Sequence, residues 1–304
     1  MGDLPSIHYL THDEIDRDQW DHCISQADNG LIYGYSWYLD TTAGHWDGLI
    51  SGDYEAVMPL PWRKKFGIRY IYQPFLTAQL GVFGKTVTKE LVESFLKSIP
   101  KQFRLLEFPL NYRNEFSLHS HGYYVRMNYV LDLQHDYSSI HAAYRENVRR
   151  NVKKALQYGC IIKRNIPVRE IVRLNQSFQN GLTSEEGERF SILTDQLVKS
   201  GQCHSYGVQS KNNELLAGAI FLFSNDRAYY ILVGNHPNGK TLGASHLLID
   251  SFIKDHAGQH MLLDFEGSDI QSLAFFYTSF GAIEEPYGAI RLNRLPFWAR
   301  MMKR

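Results

Sequence analysis

The chain is poor in the residues that build disulfide frameworks and metal sites. Only three of its 304 residues are cysteine, and Cys23, Cys160 and Cys203 lie too far apart for either kind of motif. The 13 histidines show no H-E-x-x-H or similar ligand spacing. We therefore expect a protein of a reducing compartment that binds no metal.

Net charge and long apolar runs are missing too. Lys plus Arg and Asp plus Glu both number 32, so no overall field attracts nucleic acid. No apolar run approaches the roughly 20 residues of a membrane-spanning helix. The first residues also lack the basic and then apolar pattern of a signal peptide. These absences predict a cytoplasmic protein.

What is present is an ordinary globular composition with an internal repeat. The length predicts two domains. Residues 105–108 and 262–265 share the pattern apolar, apolar, acid, Phe at an offset of 157 positions. An amphipathic segment precedes each of them, at 86–99 and 243–256. Because the offsets match, a duplication is favoured over a chance likeness of two α/β domains.

Each half predicts helices, a three-stranded antiparallel meander, a helix, a strand, a helical segment and a closing strand. In the second half the meander strands are 206–209, 215–223 and 228–233. We place the domain boundary between residues 135 and 136. A long helix over 138–158, ended by Gly159, opens the second domain, 136–304.

A glycine-rich segment follows the last meander strand and leads into a helix. Such a turn directs unpaired backbone N–H groups and the positive end of the helix dipole at an anion. The predicted phosphate-binding residues are Asn238, Gly239, Lys240, Thr241, Leu242, Gly243 and Ala244.

Residues 234–241 also fit the P-loop pattern G-x-x-x-x-G-K-T, so nucleotide binding is an alternative. A P-loop domain needs several parallel βα units. Here the preceding strand belongs to a meander and only 63 residues follow Thr241. The context therefore favours another phosphate ligand.

Two segments resemble motifs of the GNAT acetyltransferases. Residues 238–244 are similar to the Q/R-x-x-G-x-G/A loop that cradles the coenzyme A pyrophosphate, although the leading Gln or Arg is missing and the glycines are spaced wider. Residues 274–282 resemble the segment A-x-x-Y-x-x-x-G-F, with Ala282 in place of the last Phe. By itself this aromatic stripe is more typical of a helix core.

The whole length resembles the FemAB-like branch of that superfamily, through its two halves and through residues 149–155 and 264–268. The resemblance implies an α/β fold of two tandem GNAT-like domains, each a mixed, largely antiparallel sheet flanked by helices. Val82 and Thr86 stand at the offset positions of Gly239 and Gly243. One donor site is therefore expected, with the first domain, 1–135, as scaffold and acceptor side.

Amide formation needs a base for the attacking amine and an acid for the leaving group. The resemblance implies Tyr277 as the acid. Asp264 and Glu266 share one face of a predicted strand over 262–266, at its carboxyl end, where α/β sheets bind ligands. Glu266 is the candidate base or amine anchor and Asp264 the weaker candidate. A capping role for Glu266 is an equal alternative.

Further candidates are assigned to substrate binding. Arg150 and Asn151 belong to a basic helix that can hold an anionic group, although most of its charges are expected to be simply solvated. Tyr72 and Gln79 lie in a segment that resembles acceptor-side segments of the FemAB-like group.

Three functions follow. The first is N-acylation of a small-molecule or peptide amine from acyl-CoA, and the second is FemX-like transfer from aminoacyl-tRNA to a peptidoglycan precursor. The third is noncatalytic ligand binding. Zero net charge favours coenzyme A over tRNA. The basic, aromatic tail 291–304 suggests weak contact with an anionic membrane, with packing on its own domain as the alternative. No oligomeric state is predicted.

Overall fold

A computed structural model describes residues 6–115, 122–179, 181–267 and 269–295. The chain divides into two compact units, Met1–Arg126 with Pro286–Arg304, and Met127–Glu285. The sequence placed one boundary at 135/136. The division differs because residues 289–293 pair with a strand of the first unit, which assigns the described end of the chain to that unit.

Among the described residues, the first unit contains a sheet, three α-helices and two short 3-10 helices, and the end of the last strand of the chain also belongs to it. In chain order its elements are β1 (Ile7–Leu10), α1 (Arg17–Gln26), α2 (Ser36–Thr42), β2 (Trp46–Ser51), β3 (Ala56–Lys65), β4 (Ile68–Ile71), β5 (Phe83–Gly84), α3 (Lys89–Ser98), β6 (Phe103–Pro109) and the start of β7 (Tyr123–Asp132).

The sheet of the first unit is built on an antiparallel meander. β2, β3 and β4 follow one another, β1 pairs with β2, and β5 pairs with β3. β4 then pairs with β6 in parallel, since α3 lies between them in the chain. Phe95, Phe103 and Phe108 are fully buried in its core.

The second unit has more helix around a similar sheet. Its elements are the end of β7, α4 (Tyr137–Ala142), α5 (Glu146–Gln157), β8 (Ile161–Arg164), α6 (Val168–Phe178), α7 (Ser184–Lys199), β9 (Cys203–Gln209), β10 (Leu215–Ser224), β11 (Arg227–Asn235), α8 (Pro237–Leu242), α9 (Ala244–His256), β12 (Leu262–Asp264), α10 (Gln271–Thr278) and the start of β13 (Ile283–Asn293).

In the second unit β9, β10 and β11 form an antiparallel meander. β8 pairs antiparallel with β9, and β12 joins β11 in parallel and β7 antiparallel. The β10–β11 turn uses Asn225 and Asp226 at positive φ, as a tight hairpin turn requires. Phe221 stacks on Phe252 of α9 with ring centroids 3.7 Å apart. This contact packs α9 onto the sheet that carries the site.

Both units therefore repeat one order of elements, as the 157-residue offset predicted. The predicted helix over 138–158 is interrupted, however. Arg145 has extended backbone angles at the start of α5, and its N–H donates to the Ser279 carbonyl. Gly159, at φ +75°, ends α5 as expected. Among the described residues, no helix is long and apolar enough to cross a membrane.

Candidate functional site

Two parallel strands of the second unit separate soon after they meet. The pairing register of β11 with β12 runs from Arg227 to Tyr229 and ends there. β11 continues to Asn235, whereas Phe265 turns to β7 and donates its N–H to the Tyr129 carbonyl. The two strands are thus unpaired beyond Tyr229, at the carboxyl ends of parallel strands, where α/β sheets bind ligands. We call the region between the unpaired ends of β11 and β12 the cleft.

β11 contains a bulge at this point. Ile220 of β10 faces Leu232 and the next residue, Phe221, faces Tyr230, so Ile231 is the extra residue. Bulges bend a strand and are common beside active sites. The bulge follows Tyr229, the last residue of β11 that pairs with β12.

Buried aromatic side chains pack against one another around this region. Phe265 stacks on Tyr277 with centroids 4.6 Å apart, and Tyr230 contacts Phe265 edge-on at 5.9 Å. Tyr129 of β7 lies 6.0 Å from Tyr277. These residues come from β7, β11, α10 and the segment after β12, so tertiary packing alone brings them together.

The hydroxyl of Tyr277 is held in its neutral form. Burial raises its pKa well above the ordinary value, and the charge of Glu266 raises it further. Burial also raises the pKa of Tyr230, with Tyr277 as the second cause. Both phenols therefore keep their protons at neutral pH and can donate a hydrogen bond or a proton to a ligand. Tyr277 and Glu266, chosen from the sequence, lie near each other.

Glu266 adopts a backbone conformation that is uncommon for a residue with a side chain. Its φ is +62°, and its N–H donates to Asp264 Oδ1 at 2.8 Å. Such conformations persist where the surroundings enforce them, often at binding sites. The strand predicted over 262–266 is thus wrong at its end, because β12 stops at Asp264 and the chain turns.

Asp264 is structural in this arrangement. Its side chain is 1% exposed and bonds to Arg227 at 2.8 Å, and Arg227 also contacts Glu285 at 2.7 Å. Burial raises the pKa of Asp264, and the second carboxylate, Glu285, adds to this effect. For Arg227, burial lowers the pKa, but the two carboxylates outweigh that effect and raise it overall. The predicted position of Asp264 at the cleft is corrected: the side chain turns to Arg227, which joins β11 to β12.

The predicted phosphate loop is a short helix followed by a kink. Residues 237–242 form α8, which His236 caps by accepting from Asn238 N–H at 3.2 Å. Gly243, at φ +79°, both ends α8 and begins α9. The N–H groups of His246 and Leu247 are the first of α9 to bond to the Gly243 carbonyl. Those of Ala244 and Ser245 precede them, at the positive end of the helix.

The predicted loop residues divide accordingly. Asn238, Lys240 and Thr241 are exposed, whereas Gly239 is buried. A Cβ at Gly239 would lie 2.2 Å from the Leu216 carbonyl oxygen, so this glycine permits α8 to pack on β10. Leu242 packs against the core, and Ala244 is fully buried. Gly239 and Leu242 therefore serve packing, and the N-terminus of α9 is the part that can face a phosphate.

The P-loop alternative does not fit this geometry. Gly234 lies inside β11, antiparallel to β10, and a Cβ there would meet Asn175 N of α6 at 2.9 Å. The segment after it is helical rather than an open loop. A parallel P-loop sheet is absent from the described part of the second unit.

Helix α5 contacts the kink. A Cβ at Gly243 would lie 2.6 Å from the Asn151 carbonyl oxygen, and Asn151 Nδ2 lies 3.4 Å from His246 Nε2. Burial lowers the pKa of His246 to about 4, so its imidazole is neutral. Arg150 is exposed, and successive helix residues do not share a face. Asn151 thus lies beside the start of α9, and Lys154, one turn on, shares its face.

The two acceptor-side candidates belong to the first unit. Tyr72 accepts a hydrogen bond from Gly44 N at 3.3 Å, and Arg63 lies over its ring at 4.2 Å. Gln79 is 1% exposed, and its Oε1 accepts from Tyr112 N at 2.8 Å. The expectation that Gln79 lines a pocket is corrected, because its amide is used in fixing the backbone.

Sequence reasoning missed Arg227, Tyr230 and His246. An arginine between strand residues gives no sign of its carboxylate partners, which lie 37 and 58 positions away. The position of Tyr230 on the last meander strand before the glycine-rich segment was the available signal. Among the described residues, no three His, Cys, Asp or Glu side chains gather as metal ligands.

Comparison with known proteins identifies the part of the chain that holds this geometry. Residues 142–269 match the family model of the acetyltransferase (GNAT) domain. The match includes Gly243 and Glu266 and ends before Tyr277. A search of curated proteins gave no match.

Solved structures share the architecture of nearly the whole chain. FemX is 13% identical with a TM-score of 0.66, covering 97% of this chain and 99% of that one. A tandem GNAT protein from the clavulanic acid biosynthesis pathway is 11% identical with a TM-score of 0.55, covering 96% and 99%. The C-terminal domain of a putative lysylphosphatidylglycerol synthetase from Agrobacterium fabrum is 10% identical with a TM-score of 0.55, covering 94% of each chain. Identities this low show a common fold alone.

Proposed function

Because this chain carries a GNAT acetyltransferase domain within a FemX-like tandem fold, we propose that it is an N-acyltransferase that uses acyl-CoA and an amine acceptor. The observation that carries the proposal is the position of the α9 N-terminus. Only the short helix α8 separates it from β11, whose second half borders the cleft with Tyr277 and Glu266. An anion site and a proton donor thus lie along one strand and its continuation.

The start of α9 supports recognition of a diphosphate. The N–H groups of Ala244 and Ser245 and the helix dipole favour negative charge. Gly243 brings no side chain into this region. Lys240 on α8 and Lys154 on α5 supply positive charge on the two elements that contact the kink. These groups suit the pyrophosphate of coenzyme A.

The edge of β11 beyond Tyr229 supports binding of an extended amide-containing chain. Its backbone groups on the β12 side extend past the pairing register with β12. A ligand with amide groups can bond to such an edge as a strand would. This arrangement connects the anion end of the site to the aromatic cleft.

The chemistry needs two proton movements. A bound thioester supplies an activated carbonyl carbon. The amine nitrogen attacks that carbon, a C–N bond forms and the C–S bond breaks. We assign Glu266 to accept the proton of the attacking nitrogen and Tyr277 to donate a proton to the departing sulfur. Solvent then returns both side chains to their starting forms.

Ligand-induced stabilisation tests the donor. Coenzyme A at a hundredfold excess over its Kd should stabilise the native state by about 2.7 kcal/mol, and ATP with Mg²⁺ should give no such shift. The proposal fails if coenzyme A leaves the melting temperature unchanged.

One substitution separates binding from folding. Ser245→Asp places a carboxylate at the α9 N-terminus, where the dipole tolerates it but a phosphate is repelled. Ser184→Asp makes the same change at the first turn of α7. We expect both variants to fold, and only Ser245→Asp to lose the coenzyme A shift. Equal shifts in the two variants would locate the phosphate elsewhere.

Turnover tests the assigned acid. Release of free coenzyme A from acetyl-CoA with a panel of primary amines can be followed with a thiol reagent, since Cys23, Cys160 and Cys203 are all buried. Tyr277→Phe should retain coenzyme A binding and lower turnover by about 10²-fold or more. Full turnover in that variant would remove Tyr277 from the chemistry.

The basic surface of α5 favours a second candidate, aminoacyl-tRNA as donor. Arg150 and Lys153 are exposed there, and Arg149 bonds to carbonyls at the end of α4. If tRNA binds, its affinity should fall steeply with salt, and Arg149→Ala with Arg150→Ala should flatten that dependence. Binding that does not depend on salt would exclude this donor.

A further inference from the structure

The β3–β4 hairpin of the first unit ends in an exposed aromatic residue. Phe66 is 92% exposed, and residues 63–67 are all exposed. Lys65 pairs with Ile68, so Phe66 and Gly67 form a two-residue turn with φ +52° and +78°. A turn of this kind favours Asn-Gly, and a bulky residue at positive φ is unusual.

The same hairpin concentrates positive charge. Near its tip the hairpin carries four basic residues, Arg63, Lys64, Lys65 and Arg69. Residues 62–72 contain no acidic residue. Lys64 stands directly opposite Arg69, a like-charge pair that destabilises a sheet. The guanidinium of Arg63 lies over Tyr72 at 4.2 Å and that of Arg69 over Trp62 at 4.7 Å.

Two features of the hairpin tip reduce its local stability. The Phe66 ring is exposed to water on a strained backbone, and Lys64 faces Arg69. Both features would be favourable against a surface with negative charges on the outside and an apolar layer beneath them. A bilayer of anionic lipid has this character, because its phosphates attract basic residues and aromatic rings settle at headgroup level. The chain has no net charge, so any attraction to such a surface must come from local groups of basic residues, and the hairpin is one of them.

We propose that the β3–β4 hairpin is a docking surface for anionic lipid bilayers, with Phe66 inserted at headgroup level and Lys64 and Lys65 on the phosphates. This contact is independent of the proposed acyl transfer. It differs from the tail 296–304, which lies outside the described residues.

Sedimentation of the full chain with vesicles tests the proposal. Vesicles of phosphatidylcholine are compared with vesicles that also contain phosphatidylglycerol, at low and high salt. We expect binding only with phosphatidylglycerol and loss of binding at high salt. Equal binding to both kinds of vesicle, or to neither, would overturn the proposal.

Phe66→Asn is the decisive variant. Asn-Gly is the favoured sequence for this turn, so the variant should fold at least as well as the parent chain. Its vesicle binding should fall about tenfold or more, because the ring no longer inserts. Lys64→Gln and Lys65→Gln should each weaken binding about fivefold. Lys211→Gln, in the β9–β10 turn of the second unit, is the matched control and should have no effect.

Two outcomes would give the hairpin or the membrane contact a different assignment from the one proposed. If Phe66→Asn keeps full vesicle binding and deletion of residues 297–304 abolishes it, the tail is the contact. If the parent chain does not bind vesicles but binds tRNA, and Phe66→Asn weakens the binding of tRNA, the hairpin binds nucleic acid. Either result overturns the lipid proposal.

Discussion

The two units start the corresponding helix in different ways. α3 of the first unit follows Thr88, whose side chain accepts a hydrogen bond from Leu91 N at 3.3 Å. α9 of the second unit follows Gly243, which has no side chain to offer. A side chain therefore caps the N-terminus of α3, whereas α9 has no side-chain cap, as the proposed anion site requires.

The parallel strand pairs of the two units, β4 with β6 and β11 with β12, also differ in how far their pairing extends. β4 pairs with β6 up to its last residue, Ile71, whereas β11 extends from Tyr230 to Asn235 beyond its pairing with β12. One unit thus closes its sheet where the other opens a cleft. A duplicated fold can keep its scaffold in both copies and its ligand site in one.

The largest expected effect comes from breaking the ion network that joins β11 to β12. Arg227→Met should destabilise the protein by about 3–5 kcal/mol, because the buried Asp264 and the partly buried Glu285 lose their cation. Urea unfolding measures the loss. Arg173→Met, at an exposed position of α6, is the control and should change little.

Adding Asp264→Asn and Glu285→Gln to Arg227→Met should restore part of the lost stability, since the uncompensated charges are then removed. A loss in Arg227→Met no larger than in the control would contradict the role assigned to the network.

Gly243 and Gly201 have nearly equal φ angles but different surroundings. Substituting each of them separates the cost of a positive φ from the cost of a steric clash. Gly243 has φ +79°, and a Cβ there would lie 2.6 Å from the Asn151 carbonyl oxygen. Gly201 has φ +74° with no atom within 4 Å of such a Cβ. We expect Gly201→Ala to cost about 1 kcal/mol and Gly243→Ala about 1–3 kcal/mol more, in chemical denaturation. Equal losses would mean that α5 does not press on the kink.

A larger side chain at the kink should be tolerated still less. Because Gly243 is buried between α8, α9 and α5, we expect Gly243→Val to unfold the protein rather than to weaken donor binding alone.

The third residue of α9 is the titratable His246, whereas the third residue of α3 is Leu91. The stability of the second unit should therefore depend on pH at a position where that of the first unit does not. His246 has its pKa lowered from about 6.5 to about 4 by burial, so the unfolded chain takes up the proton that the native state excludes. This stability is fully present above pH 6.5 and is lost as the pH falls towards 4, by on the order of 2–3 kcal/mol.

His246→Gln should lose less stability than the parent chain between pH 6.5 and 4, as measured by urea unfolding at each pH. Its amide can still bond to Asn151, so the difference reports titration. Parallel pH profiles for the two proteins would refute the assignment.

The smallest expected effect concerns the helix cap of the first unit. Thr88→Ala removes the cap of α3 and should cost about 1 kcal/mol in stability. Coenzyme A stabilisation should be unchanged, because the proposed donor site uses α9. A parallel loss of coenzyme A binding would show that the first unit also takes part.

The repeat, the order of elements and the fold class were predictable because each depends on local periodicity and turn residues. Matched apolar patterns at a fixed offset predicted both sheets, and Gly159 predicted the end of α5. The resemblance of residues 238–244 to a GNAT motif led to the domain that the family model matches, whereas residues 274–282 lie beyond the matched range. The helix break at Arg145 was not predictable, because its partner, Ser279, is distant in sequence.

The sequence by itself determined the tandem α/β architecture and the segment in which a donor site was to be sought. Tertiary structure alone decided which side chains face the cleft. Asp264 and Glu266 are two positions apart, yet one is buried against Arg227 and the other occupies a turn at positive φ. Alternation along a strand could not separate them, because the strand ends between them and the buried cation comes from β11. Charge pairing across the sheet is a long-range interaction, and no local pattern in the chain records it.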